Sequence, residues 1–287
     1  MIASHSETVR IVKAHDFLIK KRFGQNFLID GNIVEKIVSS ADICRDDFVI
    51  EIGPGIGGLT EALVNSAGNV LAIEIDSEMV RILRTQFSEY PNLEIINADV
   101  LKTDINSLVK EKSFGRTVKI VSNLPYYITT PIIMGMFENS VRFSSFTAMV
   151  QREVGDRIAA RPSTKSYGAL TLAVGFYAKV SVVCNVPAHS FYPQPNVDSL
   201  VIRLDAGTDY VQSSVNRDVL FMLIRAAFSQ RRKTLINCLN NSTDIKLEKG
   251  DILKLLENCR LDEKIRGEAL NLDEFIMLAG EYEKLLK

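Results

Sequence analysis

Cysteine and histidine are scarce in this chain, and each scarcity closes off a class of chemistry. Four cysteines (Cys44, Cys184, Cys238, Cys259) lie far apart with no Cys-x-x-Cys pair, which supports neither a disulfide frame nor a zinc site. The histidines are His5, His15 and His189. They fall near no cysteine or carboxylate cluster, so no metal centre is expected. No apolar run reaches the length of a membrane span, and Met1 to Asp16 lacks the apolar core of a signal peptide. A reduced, cytoplasmic setting is the expectation. There is no internal repeat and no low-complexity stretch. The net charge of −1 argues against a protein that is basic all over. Basic residues are nevertheless clumped, at Lys20-Lys21-Arg22, at Arg152, Arg157, Arg161 and Lys165, and at Arg231-Arg232-Lys233. A neutral total with local basic clusters permits one nucleic-acid face. Taken singly, each cluster also reads as solvated helix surface.

What is present is an ordinary globular balance, 46% hydrophobic and 24% charged over 287 residues, enough for one large domain and a small one. Residues 1–19 are expected to be a flexible tail, 20–205 the large α/β domain and 206–287 a small all-helical domain. Asp30 can cap a helix whose apolar face is Ile33, Val34, Ile37 and Val38. Phe48 to Ile52 reads as a buried strand, followed at once by Gly53-Pro54-Gly55-Ile56-Gly57-Gly58 and a helix from Leu59. Strand, glycine loop and helix in that order let a backbone pass close to a nucleotide-like ligand. The next strand, Val70 to Asp76, carries Glu74 about 20 residues on, where a ribose-binding carboxylate is expected. Ser77 can cap the following helix.

A third strand, Leu93 to Ile96, is closed by Asn97-Ala98-Asp99, and a fourth by Asn123-Leu124-Pro125-Tyr126-Tyr127. In a parallel sheet Gly53, Glu74, Asp99 and Asn123 share one rim. Asn123 supplies a carbonyl acceptor. Leu124, preceding a proline, is held extended with its carbonyl in a fixed direction, and Tyr126 offers a π-face. By itself Asn-x-Pro after a strand also reads as a turn; four polar strand ends on one rim favour a site. Thr130-Pro131 starts a helix, Phe146 to Val150 is a fifth strand, and a basic helix runs from Gln151 to Ala160. Lys179 to Cys184 and Asp198 to Leu204 read as two more strands around the proline-stiffened loop Pro187 to Val197, with Phe191 at its head. Helices are expected over Val215 to Leu239, broken near Gln230 to Thr234, then over Leu247 to Asn258 and Leu272 to Leu286.

These motifs, with Phe23-Gly24-Gln25-Asn26-Phe27-Leu28, Phe191-Tyr192-Pro193-Gln194-Pro195-Asn196-Val197-Asp198-Ser199 and Ala227-Phe228-Ser229-Gln230-Arg231-Arg232-Lys233-Thr234-Leu235, stand in the order of one family. The chain resembles the bacterial small-subunit (16S) ribosomal RNA adenine N6,N6-dimethyltransferases. Tyr127, where asparagine is commoner, is the one small departure. The resemblance implies a Rossmann-like methyltransferase sheet, mostly parallel with an antiparallel last strand, and a small C-terminal helical domain. It implies S-adenosylmethionine (SAM) as cofactor, with S-adenosylhomocysteine (SAH) as product. Asn26, Leu28, Gly53, Gly55, Glu74, Asp99 and Asn123 would line its site, Glu74 on the ribose and Asp99 on the adenine amine. The implied substrate is two adjacent adenines in the 3′-terminal hairpin loop of 16S rRNA, within an immature 30S subunit, each taking two methyl groups. A role in ribosome biogenesis and a monomeric state follow from the same likeness.

On this reading Asn123, Leu124, Pro125, Tyr126 and Phe191 form the catalytic site. Asn123 Oδ1 and the Leu124 carbonyl accept from the target amine, while Tyr126 and Phe191 stack the extruded base. Lys21, Arg22, Arg152, Arg157, Arg161, Lys165, Arg231, Arg232 and Lys233 are the candidate RNA contacts. The Leu at position 124 and the Gln230 to Leu235 stretch separate the chain from the large-subunit enzymes of macrolide resistance. An rRNA-binding assembly factor without catalysis is the rival of another class, against which the intact Asn123 tetrapeptide and Glu74 stand. Nothing resembles the acid or base of a hydride-transferring dehydrogenase.

Overall fold

Nine strands are found among residues 1–14 and 25–286, which the computed structural model describes. They are β1 (Phe27–Leu28), β2 (Asp47–Ile52), β3 (Asn69–Glu74), β4 (Leu93–Asn97), β5 (Thr117–Asn123), β6 (Ser145–Gln151), β7 (Ala178–Val186), β8 (Phe191–Tyr192) and β9 (Ser199–Ala206). Seven form one sheet in the order β4-β3-β2-β5-β6-β9-β7, and β1 pairs with β8 in a separate ribbon. β2 pairs in parallel with both β3 and β5, as do β3 with β4 and β5 with β6, whereas β9 runs antiparallel to β6. The chain is thus a Rossmann-like, mostly parallel sheet with an antiparallel last strand. Every residue of β2 is buried, as expected of a central parallel strand covered on both faces. The strand order reverses direction between β2 and β5. That switch point opens a crevice outside the carboxyl ends of the strands.

Helices cover the sheet where amphipathic patterning placed them. Asp30 caps Gly31–Ser40, accepting from the Asn32 N–H at 3.0 Å, and Ile33, Val34 and Ile37 are buried. The cap of Ser77–Gln86 is Asp76, not Ser77; its Oδ1 accepts from the Glu78 N–H at 3.1 Å. The helix expected to start at Thr130-Pro131 begins at Thr129, which puts Pro131 third in Thr129–Glu138. Residues 1–19, expected to be a flexible tail, contain a helix, His5–Ala14. Its Ile11 packs with Phe27, Ile56, Met79 and Ile82, an apolar anchor too brief to stand out in the sequence.

Two compact units divide the chain, residues 1–155 with 180–206 and residues 156–179 with 207–287. The second includes the expected helices, observed as Arg217–Ala227, Leu235–Asn240, Lys249–Asn258 and Leu272–Leu285. It also takes Ala169–Tyr177, which the expected boundaries placed with residues 20–205. That helix buries Leu172, Val174, Phe176 and Tyr177, and both aromatic rings lie against Phe221. An apolar helix with few polar positions goes where aromatic partners await it.

At the amino ends of β2 and β5, Lys119 Nζ lies 2.9 Å from Asp47 Oδ2, with both side chains nearly buried. Lys119 also donates to the Asp42 carbonyl, and the Cys44 N–H donates to Asp47 at 2.8 Å. Burial alone would raise the Asp47 carboxyl; the Lys119 ammonium and the Cys44 N–H outweigh it and hold the group below its ordinary value. Removing one partner of a buried pair leaves an uncompensated charge, so Lys119→Met should lower unfolding stability by about 3–5 kcal/mol. Urea titration checks this, and a loss below about 1 kcal/mol would show that the pair does not hold the β2–β5 junction.

Candidate active site

An open cleft of about 990 Å³, bulk solvent at its mouth included, lies at the carboxyl ends of β2, β3, β4 and β5. Its lining brings together Asn26, Leu28, Gly53, Gly55, Glu74, Asp99, Asn123, Leu124, Pro125 and Tyr126. These are all of the expected cofactor and catalytic positions except Phe191.

The glycine loop is locked to the neighbouring strand end. Gly53 and Gly55 have φ of +69° and +59°, where a side chain is strained. A Cβ on Gly55 would also stand 3.2 Å from the Phe27 ring. The Gly53 N–H donates to the Ile73 carbonyl at 2.9 Å. Glu74 draws in two further backbone donors, Oε2 from the Gly55 N–H at 3.2 Å and Oε1 from the Asp76 N–H at 2.8 Å. Burial pushes the Glu74 carboxyl up, while those N–H groups pull it back. Glu74 therefore shapes the loop as well as facing the cleft. Asn97 Nδ2 donates to the Glu74 carbonyl at 2.8 Å, fixing the end of β4 to that of β3, and Asp99 follows two residues later.

The amide of Asn123 has a defined orientation. Its Nδ2 donates to the Asn26 carbonyl at 3.3 Å, which leaves Oδ1 without a partner among the described residues. The Leu124 N–H donates to the Met149 carbonyl at 3.1 Å; the Leu124 carbonyl accepts nothing among the described residues. Two acceptors thus stand side by side at the end of β5. Tyr126 is half-buried, its hydroxyl 2.5 Å from Ser199 Oγ, which holds the ring at the cleft wall.

The β1–β8 ribbon explains why two motifs far apart in sequence share one site. Leu28 pairs with Phe191 and Phe27 with Tyr192, so the asparagine-bearing N-terminal stretch is laid beside the proline-rich loop. The same pairing turns Phe191 away. Its ring is 2% exposed, packed in the core with Leu28, Val121, Met149 and Val201, and it does not line the cleft. The stacking plate expected there is thus a core support for β1, and the aromatic residues that line the cleft among the described residues are Phe27, Tyr126 and Tyr127.

The basic positions divide differently. Arg161, Lys165, Arg232 and Lys233 are exposed and belong to the second unit. Arg231 donates to the Lys165 carbonyl at 2.5 Å and the Tyr167 carbonyl at 2.8 Å, tying the 161–167 loop to the 230–233 turn. Arg157 lies in the same unit and Arg152 in the first, both exposed at the surface. Lys21 and Arg22, with Lys20, Phe23 and Gly24, lie outside the described residues.

Glu51, Thr60 and Gln25 were not singled out by sequence reasoning. The signal for Glu51 was an acid inside an apolar strand, where unpaired carboxylates are rare. It lines the cleft, is 1% exposed, and accepts from Thr60 Oγ1 at 2.7 Å. Gln25 Nε2 donates to Asp76 Oδ2 at 3.2 Å.

SAM fits this donor set. Three carboxylates (Glu51, Glu74, Asp99) and apolar walls from Ile52, Ile73, Val100 and Ile132 suit a cationic nucleoside with an apolar body. No lysine or arginine lines the cleft among the described residues, which ill suits a pyrophosphate.

Burial pushes the Glu51 carboxyl up to about 8, against the Thr60 hydrogen bond and with the Glu74 charge adding to the rise. In the unfolded chain the group ionises near 4.5, so between 4.5 and about 8 the folded state binds the extra proton. Stability of the ligand-free protein should therefore fall as pH rises through that window, by at most about 1.4 kcal/mol per pH unit from this group. Thermal or urea unfolding across the window checks the sign. Glu51→Gln should flatten the profile, and identical profiles for both proteins would show that Glu51 does not carry it.

A family model described as ribosomal RNA adenine dimethylase matches residues 16–278. A ribosomal RNA small subunit methyltransferase A from Lachnoclostridium phytofermentans is 50% identical over 98% of this chain and 97% of its own length. The protein of that name from Clostridioides difficile is 46% identical, over 97% and 96%. Among solved structures, a dimethyladenosine transferase from Plasmodium falciparum is 30% identical with a TM-score of 0.76, covering 90% of this chain and 98% of its own. The 23S rRNA methyltransferase ErmE shares the fold, at 23% identity and a TM-score of 0.67, over 90% of this chain and 100% of its own. The chain belongs to the ribosomal RNA adenine dimethylase family.

Proposed function

We propose that the chain transfers methyl groups from SAM to N6 of two adjacent adenines in the 3′-terminal hairpin loop of 16S rRNA, dimethylating each. The observation that carries this reading is the pair of partnerless acceptors, Asn123 Oδ1 and the Leu124 carbonyl, beside a cation-suited cleft. Full-length likeness to the small-subunit methyltransferases supports the substrate. Immature 30S particles in the cytoplasm, met by a monomer with a part in ribosome biogenesis, complete the proposal.

Glu74 would hold the ribose and Asp99 the adenine amine of SAM, with Asn26, Leu28, Gly53, Gly55 and Asn123 framing the site. Bound SAM supplies an already activated methyl electrophile, which leaves the acceptor as the difficulty. The N6 lone pair of adenine is delocalised into its ring. Acceptors on both N–H groups localise it and fix its direction, and positioning then supplies much of the rate. Tyr126 gives the extruded base a face to stack on, worth about 1–3 kcal/mol. Pro125 holds Leu124 extended; its Cδ would stand 3.5 Å from a Cβ on Gly53, so this turn and the glycine loop are in register. Monomethyl adenine keeps one N–H, so one acceptor must adjust. The Asn123 amide, tethered through a 3.3 Å bond, is the one free to do so.

Methyl transfer from labelled SAM to small subunits from cells lacking the modification, followed by nucleoside analysis, tests the proposal. N6,N6-dimethyladenosine at two neighbouring small-subunit adenines is expected. Label in large-subunit RNA would contradict it, as would tight subunit binding without transfer, which is the behaviour of an assembly factor. Asn123→Ala should lower kcat about a hundredfold, by analogy with loss of one transition-state hydrogen bond, with a smaller loss of SAM affinity. Full dimethylation rates in that variant would remove Asn123 from its role.

The exposed Arg161, Lys165, Arg232 and Lys233, together with Arg152, Arg157, Lys21 and Arg22, are proposed to meet RNA phosphates, with Arg231 joining two of the basic loops. Neutralising Arg232 and Lys233 together should flatten the log–log salt dependence of subunit binding by about 0.7–0.9 for each phosphate left unneutralised. Filter binding over a salt series measures this. An unchanged slope would return both residues to solvated surface.

A further inference from the structure

We propose that Glu51 reads the charge on the cofactor's sulfur. Its carboxyl releases a proton when the sulfonium of SAM enters the cleft and keeps it when the neutral thioether SAH enters, so this residue favours donor over product. The inference rests on the cleft being the SAM site.

Glu51 is a buried acid that lines the cleft. Oε2 accepts from Thr60 Oγ1, whereas Oε1 has no partner among the described residues. Among the described residues that line the cleft with it, none carries a positive charge. Thr60 comes from the helix Thr60–Ser66, Glu74 from β3, Asp99 from beyond β4, and Asn123, Tyr126 and Tyr127 from the end of β5. Glu61, next on that helix, does not line the cleft; it accepts from the Ile2 N–H at 2.6 Å and lies 3.9 Å from the Met1 ammonium. Lys119, bound to Asp47, stands at the opposite end of the sheet. A carboxyl buried among like charges without a counter-ion stays neutral, and burial pushes this one up to about 8.

SAM carries a sulfonium, an ammonium and a carboxylate; SAH has lost only the sulfonium charge. A unit positive charge brought close to a buried carboxyl favours its ionised form. The proton count closes over one turnover. One proton leaves Glu51 on binding, one leaves N6 as the N–CH3 bond forms and the S–CH3 bond breaks, and Glu51 takes one back as the sulfur becomes neutral. Product then sits beside an uncharged carboxyl and is held less tightly. That suits an enzyme that must exchange its cofactor repeatedly on one substrate. Glu74 faces ribose hydroxyls common to both ligands, so its share cancels in the comparison.

Calorimetric titration of the full chain with SAM and with SAH, in buffers of different ionisation enthalpy just below pH 8, counts protons for each. SAM should release a substantial fraction of a proton more than SAH. Glu51→Gln should abolish that difference and weaken SAM about tenfold, roughly 1.4 kcal/mol, leaving SAH within about twofold. Equal proton release for the two ligands would overturn the proposal. So would an equal loss of SAM and SAH affinity in Glu51→Gln, which marks a structural role or a contact with the shared amine. Thr60→Val keeps the carboxyl and removes its donor, so the excess proton release should persist and move to higher pH. An unmoved midpoint would assign the proton to another group. Failure of both ligands to bind would instead take down the cofactor-site reading, and the inference with it.

Discussion

Parallel pairing of β2 with both β3 and β5 is the constraint on which the rest of the molecule depends. Once strands run the same way, their carboxyl ends share an edge and every strand-to-helix turn must leave from it. The reversal of strand order between β2 and β5 leaves a gap at that edge. The glycine loop fills one side of it and the Asn123-Leu124-Pro125 turn the other. Ser122 Oγ accepts from the Ile52 N–H at 2.9 Å, a buried bond that sets these two strand ends against each other one residue before the chemistry begins. The acceptor pair of Asn123 and Leu124 therefore inherits its position from the sheet.

Electrostatics is divided between the two ends of the same strands. At the amino ends the buried Asp47 carboxylate has a full counter-ion in Lys119. At the carboxyl ends three carboxylates face a cleft with no cationic side chain among the described lining residues. Burial pushes both Glu51 and Glu74 up in the ligand-free protein, with the Glu74 charge adding to the rise at Glu51 and the Asp76 charge to that at Glu74. A cationic ligand opposes both rises. The cleft is thus tuned to its ligand by what it lacks as much as by the bonds it offers.

Much of this was legible in the sequence because it rests on local signals. The alternation of apolar strands with capped amphipathic helices, the glycine loop and the polar residue closing each strand all require only near neighbours. The rim then follows from topology, so Gly53, Glu74, Asp99 and Asn123 fall together on sequence grounds alone. What stayed hidden depends on long-range packing. Phe191 looked like a plate because it heads a stiff loop, but antiparallel pairing with Leu28 turns its ring into the core. The helix His5–Ala14 is anchored through Ile11 on residues far along the chain. Ala169–Tyr177 joins the second unit through Phe221, some 45 residues onward. Glu51 was visible as an oddity, but its protonation depends on which charges surround it in three dimensions.

Two acceptors side by side at the end of β5, turned toward the target amine beside the cofactor, are what the proposed chemistry cannot do without. A crystal structure of the chain with SAH and an adenosine-containing oligonucleotide tests them most directly. The target N6 should lie within hydrogen-bonding distance, about 2.7–3.2 Å, of both Asn123 Oδ1 and the Leu124 carbonyl, with the base face against Tyr126. A target base whose N6 points away from both acceptors, or SAH bound clear of Glu74 and Asp99, would contradict it.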